Sequence, residues 1–383
     1  MNTSRIQERV VLHFSGYEEI GAEHHYQRFI REGTHFQNLW GVRQDTSKLE
    51  NHDGVASWHT ITQGPDWSVA TKLILMEWCS FLGEAHKHSF WRRIRTSVPC
   101  YIAQYFSFDP WRYFRANWRY GLFFMYPIIV TMAIALMSFA PTWALNRWAG
   151  NLSNLQLIAI SFIIFLAAFR FFGERWNVLL TLELMHHIHS LALRNNNFST
   201  SRLDTFSAVL RKELQTSTAD EVTITAHSLG STYAVATIAR LLRTNPELLK
   251  KRKVSITAIG SNLLQIGLMS QGDWLRDDLT LVLGQNNIQW IEIYAANDPI
   301  CFYKTGPDTV ISDQPANALI SRRVRFSRML EQRRYKRIRS DFLRLHRQLI
   351  MANEHRYFYD FYLLLFGPLT VVEMLQRDPA TDL

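Results

Sequence analysis

VTITAHSLGSTYAVATIARLL, residues 222–242, opens on a continuous run of β-branched residues and closes on an alanine-rich run with helical spacing. Residues 222–226 predict a strand and residues 231–242 a helix. Only His227, Ser228, Leu229 and Gly230 lie between them, which leaves room for a sharp turn and little else. Ala226 and Gly230, two before and two after Ser228, are small enough for the backbone to fold tightly there. Such a turn projects the Ser228 hydroxyl above the end of a sheet, where a base can reach it; a serine is a poor nucleophile otherwise. The Leu229 amide, at the start of the helix, points where an oxyanion would form, and the helix dipole adds to it. An ordinary strand-to-helix turn with a capping serine is the alternative.

Working outward, residues 9–14 (RVVLHF) read as a short strand ended by Ser15, Gly16 and Tyr17, with a polar helix over 22–39. Residues 55–62 and 68–78 read as two strands around the turn Gly64-Pro65-Asp66, an antiparallel pairing signal. A helix over 202–214 and strands over 254–259 and 288–295 follow. Strands alternating with helices predict an α/β fold, a mostly parallel sheet with helices on both faces.

The AHSLG pentapeptide at 226–230 resembles the Gly-His-Ser-Leu-Gly elbow of lipases and esterases of the α/β-hydrolase superfamily, with Ala226 in place of the first glycine. Residues 10–17 resemble the early strand of that family, whose following loop supplies a second oxyanion-hole amide; the matching positions are Gly16 and Tyr17, although the family's usual His-Gly pair is missing. The resemblance covers residues 9–17 and 222–357, and implies an α/β-hydrolase-like sheet with a triad in the chain order Ser, Asp or Glu, His.

The acid is then expected at Asp298, in AANDP beyond the strand ending near Tyr294, since such sheets place functional residues at the carboxyl ends of their strands. Asp-Pro also ends strands for local reasons, and Asp308 and Asp313 stand behind it. Two histidines follow. His346 lies among Leu343, Arg347 and Ile350 in a helical pattern and reads as a helix-surface residue. His355, in NEHRY, resembles the histidine near the end of several lipase-like hydrolases. It is expected to take the Ser228 proton while Asp298 holds its tautomer. No metal or organic cofactor is implied.

Two charge-free apolar runs, 121–140 and 151–169, interrupt this pattern. About 20 helical residues cross the roughly 30 Å hydrocarbon core of a bilayer. Lys87, Arg92, Arg93, Arg95, Arg112, Arg115 and Arg119 precede the pair and Arg170 and Arg175 follow it, while the connection 141–150 holds only Arg147. The positive-inside rule then predicts a two-span hairpin with both termini and the catalytic part cytoplasmic, as in a bacterial inner membrane. A pair of buried core helices is the alternative. The organisation predicted is one discontinuous hydrolase domain, residues 1–105 and 177–383, interrupted by a membrane hairpin at 106–176.

Composition agrees with a mostly soluble chain carrying a membrane part: 383 residues, 47% hydrophobic and 13% aromatic, exclude a disordered protein. Cys79, Cys100 and Cys301 are far apart and suggest structural thiols in a reducing compartment. The net charge is +9, and the segment 322–347, with eleven Lys and Arg against Glu331 and Asp341, accounts for all of it. Its apolar residues recur at rough helical spacing, so residues 321–350 predict a basic amphipathic helix. In a membrane-tethered protein this points to anionic lipid head groups rather than nucleic acid, with a lid over the active site as another role. Glu183, His186 and His189 could share a helix face, but no second carboxylate–histidine helix completes a dinuclear metal site. Residues 357–370, apolar but broken by Asp360, read as a docked helix. The function expected is a membrane-anchored serine hydrolase acting on a lipid-like ester. A transacylase with the same triad and a non-catalytic membrane scaffold are the alternatives.

Overall fold

The computed structural model describes residues 5–18, 20–52, 55–79, 89–107, 110–150, 152–194, 197–250 and 252–376. Lys87 and Asn151, used above, lie outside them. The chain divides into two compact units, residues 1–83 with 194–383, and residues 84–193.

The first unit is built on one sheet of nine strands: β1 (Glu8–Phe14), β2 (Arg43–Thr46), β3 (Glu50–His52), β4 (Val55–Gln63), β5 (Ser68–Met76), β6 (Glu221–His227), β7 (Val254–Ile259), β8 (Ile288–Ala295) and β9 (Ile320–Val324). Their order is β2-β4-β5-β1-β6-β7-β8-β9, with β3 paired to β4. From β5 to β9 every neighbouring pair is parallel, and β4 runs antiparallel to β2, β3 and β5. The β4–β5 hairpin closes on Gly64 N–H to Trp67 O at 2.9 Å. β6 and β7 are buried along their whole length. That burial is why they read as continuous β-branched runs rather than as alternating ones. By contrast β2 (RQDT), β3 (ENH) and β9 (ISRRV) lie at the margins and carry mostly polar side chains, too few apolar ones to give a strand pattern.

Helices cover both faces. On one, Val11, Leu73, Leu75, Ile291 and Ile293 share a core with Phe29, Phe36 and Trp40 of helix Ala22–Trp40 and with helix Phe361–Phe366. All six residues of the latter are buried, and Asp360, which caps it, accepts the Trp40 indole N–H at 3.0 Å. Helices Asn197–Thr216, Gly230–Thr244 and Asp273–Leu283 lie on the other, where Phe14 meets Phe206 edge-on at 5.6 Å. Each buried aromatic removes about 150–250 Å² from water, so these contacts dominate the core.

The single basic helix predicted over 321–350 is not formed. The segment supplies β9, then helices Phe326–Met329, Gln332–Ile338 and Phe342–Arg347 and a 3₁₀ turn Gln348–Ile350. Pairing of β9 with β8 and burial of Val324, Phe326, Met329, Leu330, Ile338, Leu345 and Leu349 in the sheet core set its path. Leu330 is extended between the first two helices, and Asp341 starts the third, Phe342–Arg347, by accepting the Arg344 amide. One straight helix could not deliver all of these side chains to the same core.

The second unit holds helices Phe90–Ser107, Pro110–Ala116, Trp118–Ala149, Asn154–Arg175 and Val178–Ala192. It is wider than the 106–176 expected, because the flanking helices join it. Arg93 binds Glu183 through two contacts of 2.5 and 2.6 Å, the Tyr101 hydroxyl donates to Phe124 O at 2.6 Å, and the Gln104 amide donates to Met185 O at 2.7 Å. Trp118–Ala149 and Asn154–Arg175 are long and apolar enough to cross a membrane, and only a minor share of either is buried. Met132, Leu136, Leu155 and Ile163 are among the side chains left more than half exposed. This differs from a pair of buried core helices. The first helix runs past 140, through Pro141, to a left-handed cap at Gly150; the second starts at Ser153, whose hydroxyl and Gln156 form a reciprocal cap.

Candidate active site

Four parallel strands, β1, β6, β7 and β8, end side by side, and the candidate residues cluster beyond their carboxyl ends. This is where open α/β sheets place functional groups. Ser228 follows β6 directly and adopts φ = 54°, a left-handed conformation unusual for a residue with a β-carbon. The turn is held by the Ser228 amide donating to Ile259 O at 2.9 Å and the Ser231 amide donating to Ser228 O at 3.1 Å. Strain of this kind persists only where the surroundings impose it, and it concentrates at functional sites. Here the surroundings are backbone: a β-carbon on Gly230 would stand 2.4 Å from Ser15 O and 2.6 Å from Phe14 O. The helix therefore starts hard against the end of β1, and residue 230 has to be glycine.

Contact with β1 also brings its loop to the serine. A β-carbon on Gly16 would stand 3.3 Å from Ser228 Cβ and 2.5 Å from His227 Nδ1. The loop is anchored by the Trp78 indole donating to Ser15 O at 2.8 Å and the Cys79 thiol donating to Gly16 O at 3.3 Å. Tyr17 is half-buried, with its ring 6.2 Å from that of Trp78. Leu229 stands at the N-cap of helix Gly230–Thr244, so its amide belongs to those that the helix itself leaves unused. Ser15, which the sequence reading did not single out, buries a hydroxyl with no hydrogen-bond partner among the described residues.

Asp298 is completely buried. Its Oδ1 accepts the Ile300 amide at 3.0 Å, and its Oδ2 meets His346 Nδ1 at 2.6 Å. The imidazole is thus fixed through one nitrogen, while Nε2 is buried and has no partner among the described residues, Ser228 included. A β-carbon on Gly260, the residue after β7, would stand 2.9 Å from His346 Cε1, which places the ring at the end of the strand whose last carbonyl holds the Ser228 amide. The His227 ring lies 4.7 Å from that of His346, and its Nε2 donates to His346 O at 3.4 Å. Burial, reinforced by the neighbouring His346, holds the His227 pKa well below the usual imidazole value. This favours the neutral form of His227 beside Ser228.

The histidine expected at 355 has to be corrected. His355 is exposed, and its amide donates to Met329 O at 3.1 Å; the imidazole bonded to Asp298 belongs to His346. Placed on one continuous helix, His346 falls on the surface. In the folded chain Phe342–Arg347 is a single short helix that turns this side chain inward beside Leu345. Asp308 and Asp313, the other candidate acids, are both exposed. Glu183 is engaged by Arg93, and His186 Nδ1 lies 3.1 Å from Cys100 Sγ.

Comparison of the chain with protein-family models, with curated proteins and with solved structures finds no match.

Proposed function

We propose that this chain is a membrane-anchored serine hydrolase cleaving a carboxylic, lipid-like ester, with Ser228 as nucleophile, His346 as general base and Asp298 as its orienting acid. One observation carries the reading: a serine in left-handed conformation between a buried strand and a helix, sharing its sheet end with a buried histidine–aspartate pair whose second nitrogen is unengaged among the described residues. In free enzymes the serine–histidine hydrogen bond is often long and tightens only with substrate bound.

The chemistry follows from these atoms. Ser228 Oγ bonds to the acyl carbon as its proton passes to His346 Nε2. The carbonyl electron pair moves onto oxygen, where the amides of Leu229 and of the Gly16–Tyr17 loop are the available donors. The carbon–oxygen bond to the leaving alcohol then breaks, and His346 returns the proton to that alcohol. Water, deprotonated by the same nitrogen, releases the acid and restores the serine.

Support for the membrane part is the exposed apolar surface of the two long helices and the concentration of Lys and Arg on their outer flanks. By the positive-inside rule the catalytic unit and both termini are cytoplasmic. A lipid-like ester suits a catalytic unit carried on such a chain. Arg325, Arg328, Arg333, Lys336 and Arg337 are exposed, and as surface cations they would each contribute about 1 kcal/mol towards anionic lipid head groups. The deciding experiment is fluorophosphonate labelling of the full chain in native membranes. The wild type is expected to be modified at Ser228 and Ser228→Ala to be silent. Folded wild-type protein that takes up no label would rule out the hydrolase and favour a scaffold.

A further inference from the structure

The loop carrying Gly16 and the segment carrying His346 come from opposite ends of the chain, and a single carboxylate joins them. Glu18, two residues past Gly16, is 8% exposed. Its Oε1 lies 2.6 Å from Arg347 Nε and 2.8 Å from an Arg28 guanidinium nitrogen. Arg347 is the residue after His346. Arg28 belongs to helix Ala22–Trp40 and uses its other terminal nitrogen on His25 Nδ1 at 2.9 Å, which fixes its own orientation. Burial opposes ionisation of Glu18, but the Arg28 guanidinium, its hydrogen bond and Arg347 outweigh it and hold the carboxyl well below the usual range. The bracket is therefore charged at neutral pH.

As a source of stability this arrangement is a poor choice. The Arg28–Glu18 pair is buried, and such a pair does no better than apolar residues of the same volume in many proteins, while the half-exposed Arg347 is screened by solvent; the feature to explain is the geometry these contacts set. Here the two parts whose geometry is fixed are those that have to act on one carbonyl: the Gly16 loop, which faces its oxygen, and His346, which handles the serine proton. We infer that Glu18 is a positioning residue, an ionic bracket through Arg347 that sets the oxyanion-hole loop in register with the catalytic histidine. The inference rests on the hydrolase reading above. Misplacing a catalytic group by about 1 Å lowers rates by roughly a hundredfold. Both groups act in the transition state, so the effect falls on kcat rather than KM.

The test uses full-length protein in detergent, a p-nitrophenyl butyrate assay, fluorophosphonate labelling rates and melting temperatures for Glu18→Gln, Arg347→Met, Arg347→Lys and the double variant Glu18→Gln with Arg347→Met. Each neutralising single variant is expected to lower kcat and labelling rate by about 10- to 100-fold with KM within about threefold. The double variant should be no worse than the poorer single one, because both break the same bracket. Arg347→Lys should recover most of the rate. Losses that multiply in the double variant, or a lowered melting temperature with kcat intact, would reduce Glu18 to a structural residue. Should Glu18→Gln fail to fold, Arg347→Met decides alone, since the Arg347 side chain is about half exposed. If wild-type Ser228 resists the probe, the hydrolase reading and the bracket fall together. If it is labelled and Glu18→Gln turns over at the wild-type rate, only the bracket falls.

Discussion

Replacing Asp298 by asparagine tests the assignment of His346 at the level of a single proton. Asp298 Oδ1 accepts the Ile300 amide at 3.0 Å, and Oδ2 faces His346 Nδ1 at 2.6 Å. An asparagine in the same place has one oxygen, and the Ile300 N–H requires it. The side-chain NH₂ is then turned towards His346 Nδ1, which has to become an acceptor. That moves the imidazole proton to Nε2, the nitrogen that must be bare to take the Ser228 proton. The wrong tautomer at a conserved geometry lowers turnover by about 10⁴-fold in the serine-protease triad. At about 1.36 kcal/mol per tenfold, this corresponds to roughly 5.4 kcal/mol of lost transition-state stabilisation. The expected result is a loss of that order in kcat and in fluorophosphonate reactivity, with the melting temperature little changed because the substitution is isosteric. His355→Ala, on an exposed side chain, should retain wild-type rates. An Asp298→Asn variant within tenfold of wild type, or a His355→Ala variant as impaired as His346→Ala, would refute the assignment.

Three further outcomes are expected. Gly230→Ala forces a methyl group to 2.4 Å from Ser15 O, so the helix must lift off β1; a destabilisation of about 1–3 kcal/mol or more and loss of labelling should follow, and unchanged melting and labelling would contradict the close approach. Burial lifts the Glu292 carboxyl to about 8; the Trp290 indole opposes this and Asp308 adds to it. Between an unfolded value near 4.5 and that folded value the native state holds a proton that the unfolded chain has released, so stability falls as pH rises through this window. Glu292→Gln abolishes that dependence and should melt higher than wild type at pH 9 but not at pH 4, on the order of a few kcal/mol; parallel pH profiles would contradict it. For the proposed hairpin, Trp148→Cys, on a side chain 94% exposed at the C-terminal end of the first long helix, should react with an impermeant maleimide from the non-cytoplasmic side; labelling only from the cytoplasmic side would overturn the orientation.

Residues 221–244 determine their own structure: a buried strand, a turn flanked by small residues and a helix are all specified within one short stretch, so the sharp turn at Ser228 is legible without any long-range contact. The same is true of the two long apolar helices, because length and charge exclusion are properties of the chain alone. The histidine was not legible. Local spacing suits both His346 and His355, and the choice between them depends on where the Asp298 loop and the end of β7 lie, which only the assembled sheet defines. The basic segment shows the same limit from the other side. Its helical spacing is real over three short helices, yet pairing of β9 with β8 and the demand for buried Phe326, Met329 and Leu345 broke the one helix that local pattern suggested. Sequence periodicity records which face of an element is apolar. Tertiary packing decides which elements share that face, and with it which imidazole lies beside the carboxylate.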